Sequence, residues 1–282
     1  MHELNLYGQV TFARYEQVLN ILAGVAAMQP QRIYERHIVY KPLREPEEPG
    51  SNLGRRGGTQ TVAQKQAKQA APVVLYHTQL VQKLSEADFA AEDSPPQESG
   101  KPLSAEVDEG EEPVWSFVFK DIPDTGDRGV SIRFTNTTDL LSGDPHAHML
   151  ASGPNQLDHL PIFVTEYYVE GYRFVHGNVV IFLHRILHEP GVRNIQKAPK
   201  TTLPTFTGLK LLDPSGAYVL DATVQIEDFN NAAVLEAGVN ELKRFQTQMK
   251  GCVNLVLPDR LAQDSRVKYK PPPPPATQAR PR

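Results

Sequence analysis

Cysteine is almost missing from this sequence: Cys252 stands alone among 282 residues. That excludes an internal disulfide and any cysteine-rich zinc site, because both need a second thiolate. No stretch approaches the roughly 18 consecutive apolar residues of a membrane-spanning helix. The opening Met1-His2-Glu3-Leu4-Asn5-Leu6 has neither a basic n-region nor an apolar h-region, so an intracellular chain is expected. The glycine-rich phosphate loop, the dinucleotide-binding turn and the Gly-x-Ser-x-Gly elbow are all missing from the sequence.

Apolar residues make up 40% of the chain, a little under the usual globular share, while prolines number 24. Both point to segments that stay out of a core. Residues 41–71 carry Glu45-Pro46-Glu47-Glu48-Pro49-Gly50 and Gly54-Arg55-Arg56-Gly57-Gly58. Residues 85–113 hold ten acids against Lys101, and the tail contains the run Pro271 to Pro275. Such composition favours solvated or polyproline II chain. The expectation is one domain over residues 1–268, interrupted by disordered insertions at about 41–71 and 85–113, with a disordered proline-rich tail at 269–282.

Net charge is −4, unevenly distributed. The acidic stretch carries −9, residues 41–70 carry +3 and the tail from Lys268 carries +4. The body between them is thus close to neutral, without the basic field that a nucleic-acid surface requires.

Between the insertions the pattern is mostly strand. Val130, Ile132 and Phe134 alternate with Ser131, Arg133 and Thr135, the period of a half-buried strand. Ile162 to Val175 and Val179 to Leu187 are β-branched and aromatic runs joined through His176-Gly177-Asn178, a hairpin signal. A turn at Gly177-Asn178 pairs residues whose numbers sum to 355 and sets Glu170 opposite Arg185. Asp213-Pro214-Ser215-Gly216 predicts a turn between Leu209–Leu212 and Tyr218–Ile226. Tyr218, Leu220, Ala222, Val224 and Ile226 share one face of the second run.

Two amphipathic helices are predicted. The first has a stripe of Tyr15, Val18, Leu19, Leu22, Val25 and Ala26, with Thr11 as N-cap. The second places Val234, Leu235, Val239, Leu242, Phe245 and Met249 on one face, capped by Asn230 or Asn231 and ended by Gly251. The fold class expected is α+β, mostly antiparallel: a β-barrel-like curled sheet with flanking helices.

The search for chemistry yields little. His184 and His188 lie four residues apart in a strand, about 13 Å, too far to share a metal, and are read as polar positions at a sheet margin. His146 and His148 are candidates to share a metal with Asp144 or Asp158, but a polar loop explains them as well and is the reading taken. Cys252 follows a helix C-terminus and is read as a small buried apolar residue. Tyr167, Tyr168, Tyr172 and Phe174 form the densest aromatic cluster; core packing explains it, and a partner-binding surface is the alternative.

Several segments resemble the Mediator complex subunit 18 family. They are Met1 to Tyr7 leading into Gln17 to Gly24, the hairpin Gly171 to Ile181, and the helix Asn230 to Lys250 followed by Leu257-Pro258-Asp259-Arg260. The resemblance implies a β-barrel subunit in the nucleus that links regulators to RNA polymerase II through protein contacts. Its implied partners are a sister barrel, subunit 20, and the C-terminal helix of subunit 8. It implies no catalytic residue, cofactor or metal, and no nucleic-acid, membrane or small-molecule partner. Two alternatives are a triphosphate-tunnel-type phosphohydrolase and an RNA-binding β domain. The former needs Glu-x-Glu-x-Lys on an early strand, whereas the first strand here has Glu3 and no lysine.

Overall fold

The computed structural model describes residues 1–44, 46, 74–89, 115–140, 161–191 and 197–269. Most of the three low-complexity stretches, and the loop with Asp144, His146, His148 and Asp158, lie outside the described residues.

Among the described residues nine strands form one antiparallel sheet: β1 (His2–Val10), β2 (Gln31–Pro42), β3 (Thr78–Leu84), β4 (Trp115–Lys120), β5 (Ser131–Leu140), β6 (Pro161–His176), β7 (Val179–His188), β8 (Lys210–Leu211) and β9 (Tyr218–Ile226). The order is β6-β2-β3-β4-β5-β1-β9-β7-β8, and β6 also pairs with β7. That last pairing closes eight strands into a barrel and leaves the two-residue β8 hanging on the end of β7. Among the described residues two helices, α1 (Tyr15–Ala26) and α2 (Ala232–Gln248), pack on the outside.

The register of the β6–β7 hairpin is the one expected from its turn. Glu170 lies opposite Arg185, Tyr172 opposite Leu183 and Phe174 opposite Ile181. Gly177 takes φ +61°, a left-handed conformation that costs glycine nothing. The Arg185 guanidinium donates to the Glu170 carboxylate across the strand pair. Gly216 likewise sits at φ +71°, closing the Asp213 turn. The strand before that turn, however, is only Lys210–Leu211, and it pairs with β7, not with β9.

The main core lies outside the barrel wall. Leu4, Leu6, Phe174, Ile181, Leu183, Leu220 and Val224 pack under Val18 and Leu22 of α1 and Leu235, Leu242 and Phe245 of α2. Gly238 brings α2 close, since a Cβ there would meet Leu4 and Ile226 at 3.0 Å. Asn231 caps α2, its side chain accepting from the amides of Ala233 and Val234. Val234, expected on the apolar face, is instead 41% exposed, because the buried arc begins one residue later at Leu235. Thr11 makes no side-chain cap; a 3₁₀ turn at Phe12–Arg14 precedes α1, whose own N-cap is Arg14. Left-handed Ala27 ends that helix.

Two insertion boundaries move. β2 continues through Pro42. Residues 85–89 form a capped 3₁₀ turn that buries Phe89 against Tyr34 and Tyr168, so the acidic stretch is anchored at its start.

Candidate functional site

Cross-strand partners share a face, so the pairing identifies what points into the barrel. Glu3, Asn5 and Tyr7 of β1 face inward, beside Ser131, Arg133 and Thr135 of β5 and Asp221, Thr223 and Gln225 of β9. Glu35, His37, Tyr167, Phe182 and His184 complete the lumen from β2, β6 and β7. The polar half of the Val130–Thr135 alternation is thus not solvated, as half-burial would have it: Ser131, Arg133 and Thr135 are as buried as Val130 and Ile132. Phe134 is the exposed member, at 39%.

Lumenal charges pair among themselves. The Glu3 carboxylate lies 3.4 Å from the Arg133 guanidinium and 3.6 Å from the Lys120 ammonium. Asn5 Nδ2 donates to Thr223 Oγ1 at 2.7 Å, and that hydroxyl donates to Asp221 Oδ1 at 3.0 Å. His37 bonds Glu35 at 3.0 Å and Gln79 at 3.3 Å while stacking on Tyr167 at 4.8 Å. Burial pushes the Asp221 carboxyl up, against the pull of Lys120 and Thr223. Burial also raises Glu35, but the His37 hydrogen bond and nearby cations hold it below the ordinary carboxylate range. The His184 imidazole is pushed down by burial, with Asp221 opposing. A 190 Å³ cavity in this part of the lumen is bordered by Glu3, Glu35, Lys120, Arg173 and Asp221. Among the described residues no group of acids, histidines and Cys252 is placed to hold a metal.

One end of the barrel, where β1 and β7 finish and β6 and β9 begin, is open and apolar. A 410 Å³ groove there runs between Tyr7, Ile186, Leu212, Tyr218, Val219 and Val256. Leu212, Val219 and Val256 are 46%, 37% and 46% exposed. A second hollow of 330 Å³ shares Ile186 and Leu212 with it and reaches Glu166, Tyr168 and Lys200. Its floor is a buried ion pair on the outer wall: Arg36 Nε donates to Glu166 at 2.7 Å, and Tyr168 OH donates to the same carboxylate at 2.7 Å. Burial would raise Glu166, yet the Arg36 charge and these hydrogen bonds hold it low.

The groove's rim is set by residues after α2. Val256 exchanges backbone hydrogen bonds with Tyr7 at 2.8 and 3.0 Å, taking the place beside β1 that β5 vacates beyond Asn5. Gly8 permits this crossing, because a Cβ there would stand 2.5 Å from Val253. Gln263 then reaches inside, accepting from Ser131 Oγ at 2.7 Å and donating to Tyr7 OH at 3.0 Å. This strap carries no periodic signal; besides the segment Leu257 to Arg260 that resembles the family, Gly8 in an otherwise bulky strand is a trace of its crossing.

The aromatic cluster does not form one surface. Phe174 (0% exposed) and Tyr168 (2%) are inside two separate cores. Tyr172 is half-buried and accepts from Tyr15 OH at 3.0 Å, while Tyr167 lies in the lumen. Alternation along β6 sends Tyr167 and Tyr168 to opposite faces, which a sequence cluster cannot express. His188 sits at the barrel mouth, a sheet margin as expected, but His184 is well inside, stacked on Phe182 at 4.5 Å. Cys252 is half-buried against the main core, and burial pushes its thiol up.

The class of fold is thus a closed, eight-stranded antiparallel barrel with charged side chains in its lumen, helices on its wall and an apolar mouth. Residues 2–266 match the family described as Med18 protein, and the chain belongs to that family. It is 34% identical over 278 residues to "Mediator of RNA polymerase II transcription subunit 18" of Aspergillus fumigatus, covering 95% of this chain and 100% of that one. The subunit of the same name from Coccidioides immitis is also 34% identical over 278 residues, with the same coverage. Among solved structures, a chain of the Schizosaccharomyces pombe Mediator head module superposes with a TM-score of 0.58 at 16% identity. That superposition covers 92% of this chain and 99% of the other, a likeness of fold.

Proposed function

We propose that this chain is a subunit of the Mediator coactivator, acting in the nucleus to link regulators to RNA polymerase II by protein contacts and without catalysis. The observation that carries the reading is the end-to-end similarity to relatives that bear the subunit 18 name. In this reading the partners are subunit 20 as sister barrel and a helix from subunit 8. The apolar groove around Leu212, Val219 and Val256 receives the helix, whose anchors at i, i+3/i+4 and i+7 would fill it. Of the aromatic quartet, Tyr167 in the second hollow and Tyr172 beside Tyr15 are offered as partner contacts, while Tyr168 and Phe174 act only by holding β6 in place.

The lumen supports a non-catalytic role. A site for polyphosphate needs cations left over to meet phosphate, and carboxylates free to hold a metal. Here Arg133 and Lys120 are engaged with Glu3, and Glu35 with His37, so of the charged groups bordering the cavity Arg173 and Asp221 alone stand outside an ion pair among the described residues. Co-expression with subunit 20 and the subunit 8 helix, followed by gel filtration, tests the reading. Co-elution with both is expected, and failure to co-elute with either overturns it. A triphosphatase assay with manganese or magnesium is expected to give no turnover above background. Metal-dependent turnover that Glu3→Gln abolishes would replace this reading by the phosphohydrolase.

A further inference from the structure

Ser85 is the only serine or threonine in the sequence with an acid three residues after it. Glu86 and Asp88 occupy the first and third positions beyond it, Glu92 and Asp93 follow, and residues 85–93 contain no lysine or arginine. The segment begins where β3 ends, and Ser85, Glu86, Ala87 and Asp88 are all exposed. Asp88 has a structural use: its Oδ2 accepts from Ser85 N at 2.6 Å and from Ser85 Oγ at 2.8 Å, closing the 3₁₀ turn. Glu86 has little, since its side chain is 70% exposed and meets Arg32 only at 3.6 Å. Capping therefore explains the acid at the third position and leaves the acids around it unexplained.

The turn seats a ring. Phe89, which follows it directly, packs against Phe206 at 5.3 Å, Tyr34 at 5.6 Å and Tyr168 at 6.2 Å between centroids. Leu84, just before Ser85, packs on the same cluster, so both ends of the turn are tied to the wall. A phosphate on Ser85 Oγ would remove the hydroxyl donor and set about two negative charges against Asp88 and Glu86. Arg32, on this side of the wall, is already divided between Glu86 and Glu170, at 3.6 and 3.7 Å.

We propose that Ser85 is a phosphorylation site for an acid-directed serine/threonine kinase, and that phosphorylation opens the turn and withdraws Phe89 from the wall. A kinase of that class reads carboxylates beyond the acceptor with its own basic side chains, and Ser85 alone offers one at the third position. In the transfer, Ser85 Oγ bonds to the γ-phosphorus of ATP and the bond from that phosphorus to the ADP oxygen breaks. ADP leaves with the electron pair, and the hydroxyl proton passes to the kinase's catalytic base. The phosphoserine then meets Asp88 as a like charge where the hydroxyl had been a donor. Neither step uses the apolar groove, so the inference is independent of the helix assignment.

The test incubates the full-length chain with casein kinase II, magnesium and ATP, maps phosphate by mass spectrometry and follows chymotryptic cleavage after Phe89. Phosphate on Ser85 is expected, and the phosphorylated chain should be cut after Phe89 at least about tenfold faster than the unmodified chain. Asp88→Asn keeps an acceptor oxygen for the turn but loses the charge, and should slow phosphorylation of Ser85 at least about tenfold. Glu86→Gln, which leaves the turn's hydrogen bonds in place, should slow it several-fold with an unchanged thermal midpoint. No phosphate on Ser85, rates in both variants equal to that of the unmodified chain, or equal protection of Phe89 once Ser85 is phosphorylated would each overturn the proposal.

Discussion

Along β9, Tyr218, Leu220, Ala222, Val224 and Ile226 face out of the barrel, while Val219, Asp221, Thr223 and Gln225 face in. β1 divides the same way, with Leu4 and Leu6 outward and Glu3 and Asn5 inward. The outer face is held by apolar burial under α1 and α2. The inner face is held largely by paired charges and hydrogen bonds. The same strands therefore obey two energetic regimes: outside, loss is proportional to area removed, and inside, it depends on whether a partner is left behind.

The largest effect is expected outside. Phe174→Ala removes a ring with no exposure from the main core and should cost about 3–5 kcal/mol in urea unfolding. A cost under about 1 kcal/mol would mean that the outer face is not the stabilising one. Inside, Arg133→Met strands much of the Glu3 charge, leaving only Lys120 beside it, and should cost about 3 kcal/mol. The double variant Glu3→Met/Arg133→Met should recover most of that loss, a non-additivity that two well-separated outer-face residues would not share. Simple additivity in that cycle would erase the distinction between the two faces.

A smaller effect distinguishes the faces by pH. The folded His184 pKa lies below its unfolded value of about 6.5, so neutral His184 is favoured by folding. Its contribution is fully present above that value and is lost as pH falls toward the folded pKa. Urea midpoints should therefore fall on acidification below about 6.5, and His184→Gln should reduce that fall. A parallel slope in the variant would place the titrating group elsewhere. Smallest of all, replacing residues 90–112 by a short Gly/Ser linker should leave the thermal midpoint nearly unchanged, provided Phe89 is kept. Removing Phe89 as well should lower it, because its ring packs edge-on against Tyr34 and Phe206.

Much of the outer face was legible in the sequence, because apolar periodicity reports which side of an element is dry. The β6–β7 register followed from one glycine with a left-handed φ, and the α2 start from the pair Asn230-Asn231, of which Asn231 is the cap. The lumen was not legible. Alternating Val130, Ser131, Ile132 and Arg133 reads identically whether the polar side meets water or the inside of a closed barrel, and only closure between β6 and β7 decides. The apolar mouth was hidden for a different reason. Leu212, Val219 and Val256 come from three separate segments, and two of them occupy the polar phase of their own local pattern or lie in a strap without one. The neighbouring Tyr167 and Tyr168 misled in the opposite direction, looking like a patch while facing different sides of the wall.

The central claim is that this barrel works through its mouth and that its lumen serves only to hold it together. Parallel co-purifications with subunit 20 and the subunit 8 helix test that most directly, using Leu212→Asp/Val219→Asp at the mouth and Glu3→Gln in the lumen, each checked for an intact fold by circular dichroism. The account predicts that the mouth variant loses the helix while Glu3→Gln co-elutes like the unmodified chain. Retention of the helix by the mouth variant, or its loss by the folded Glu3→Gln variant, would contradict it.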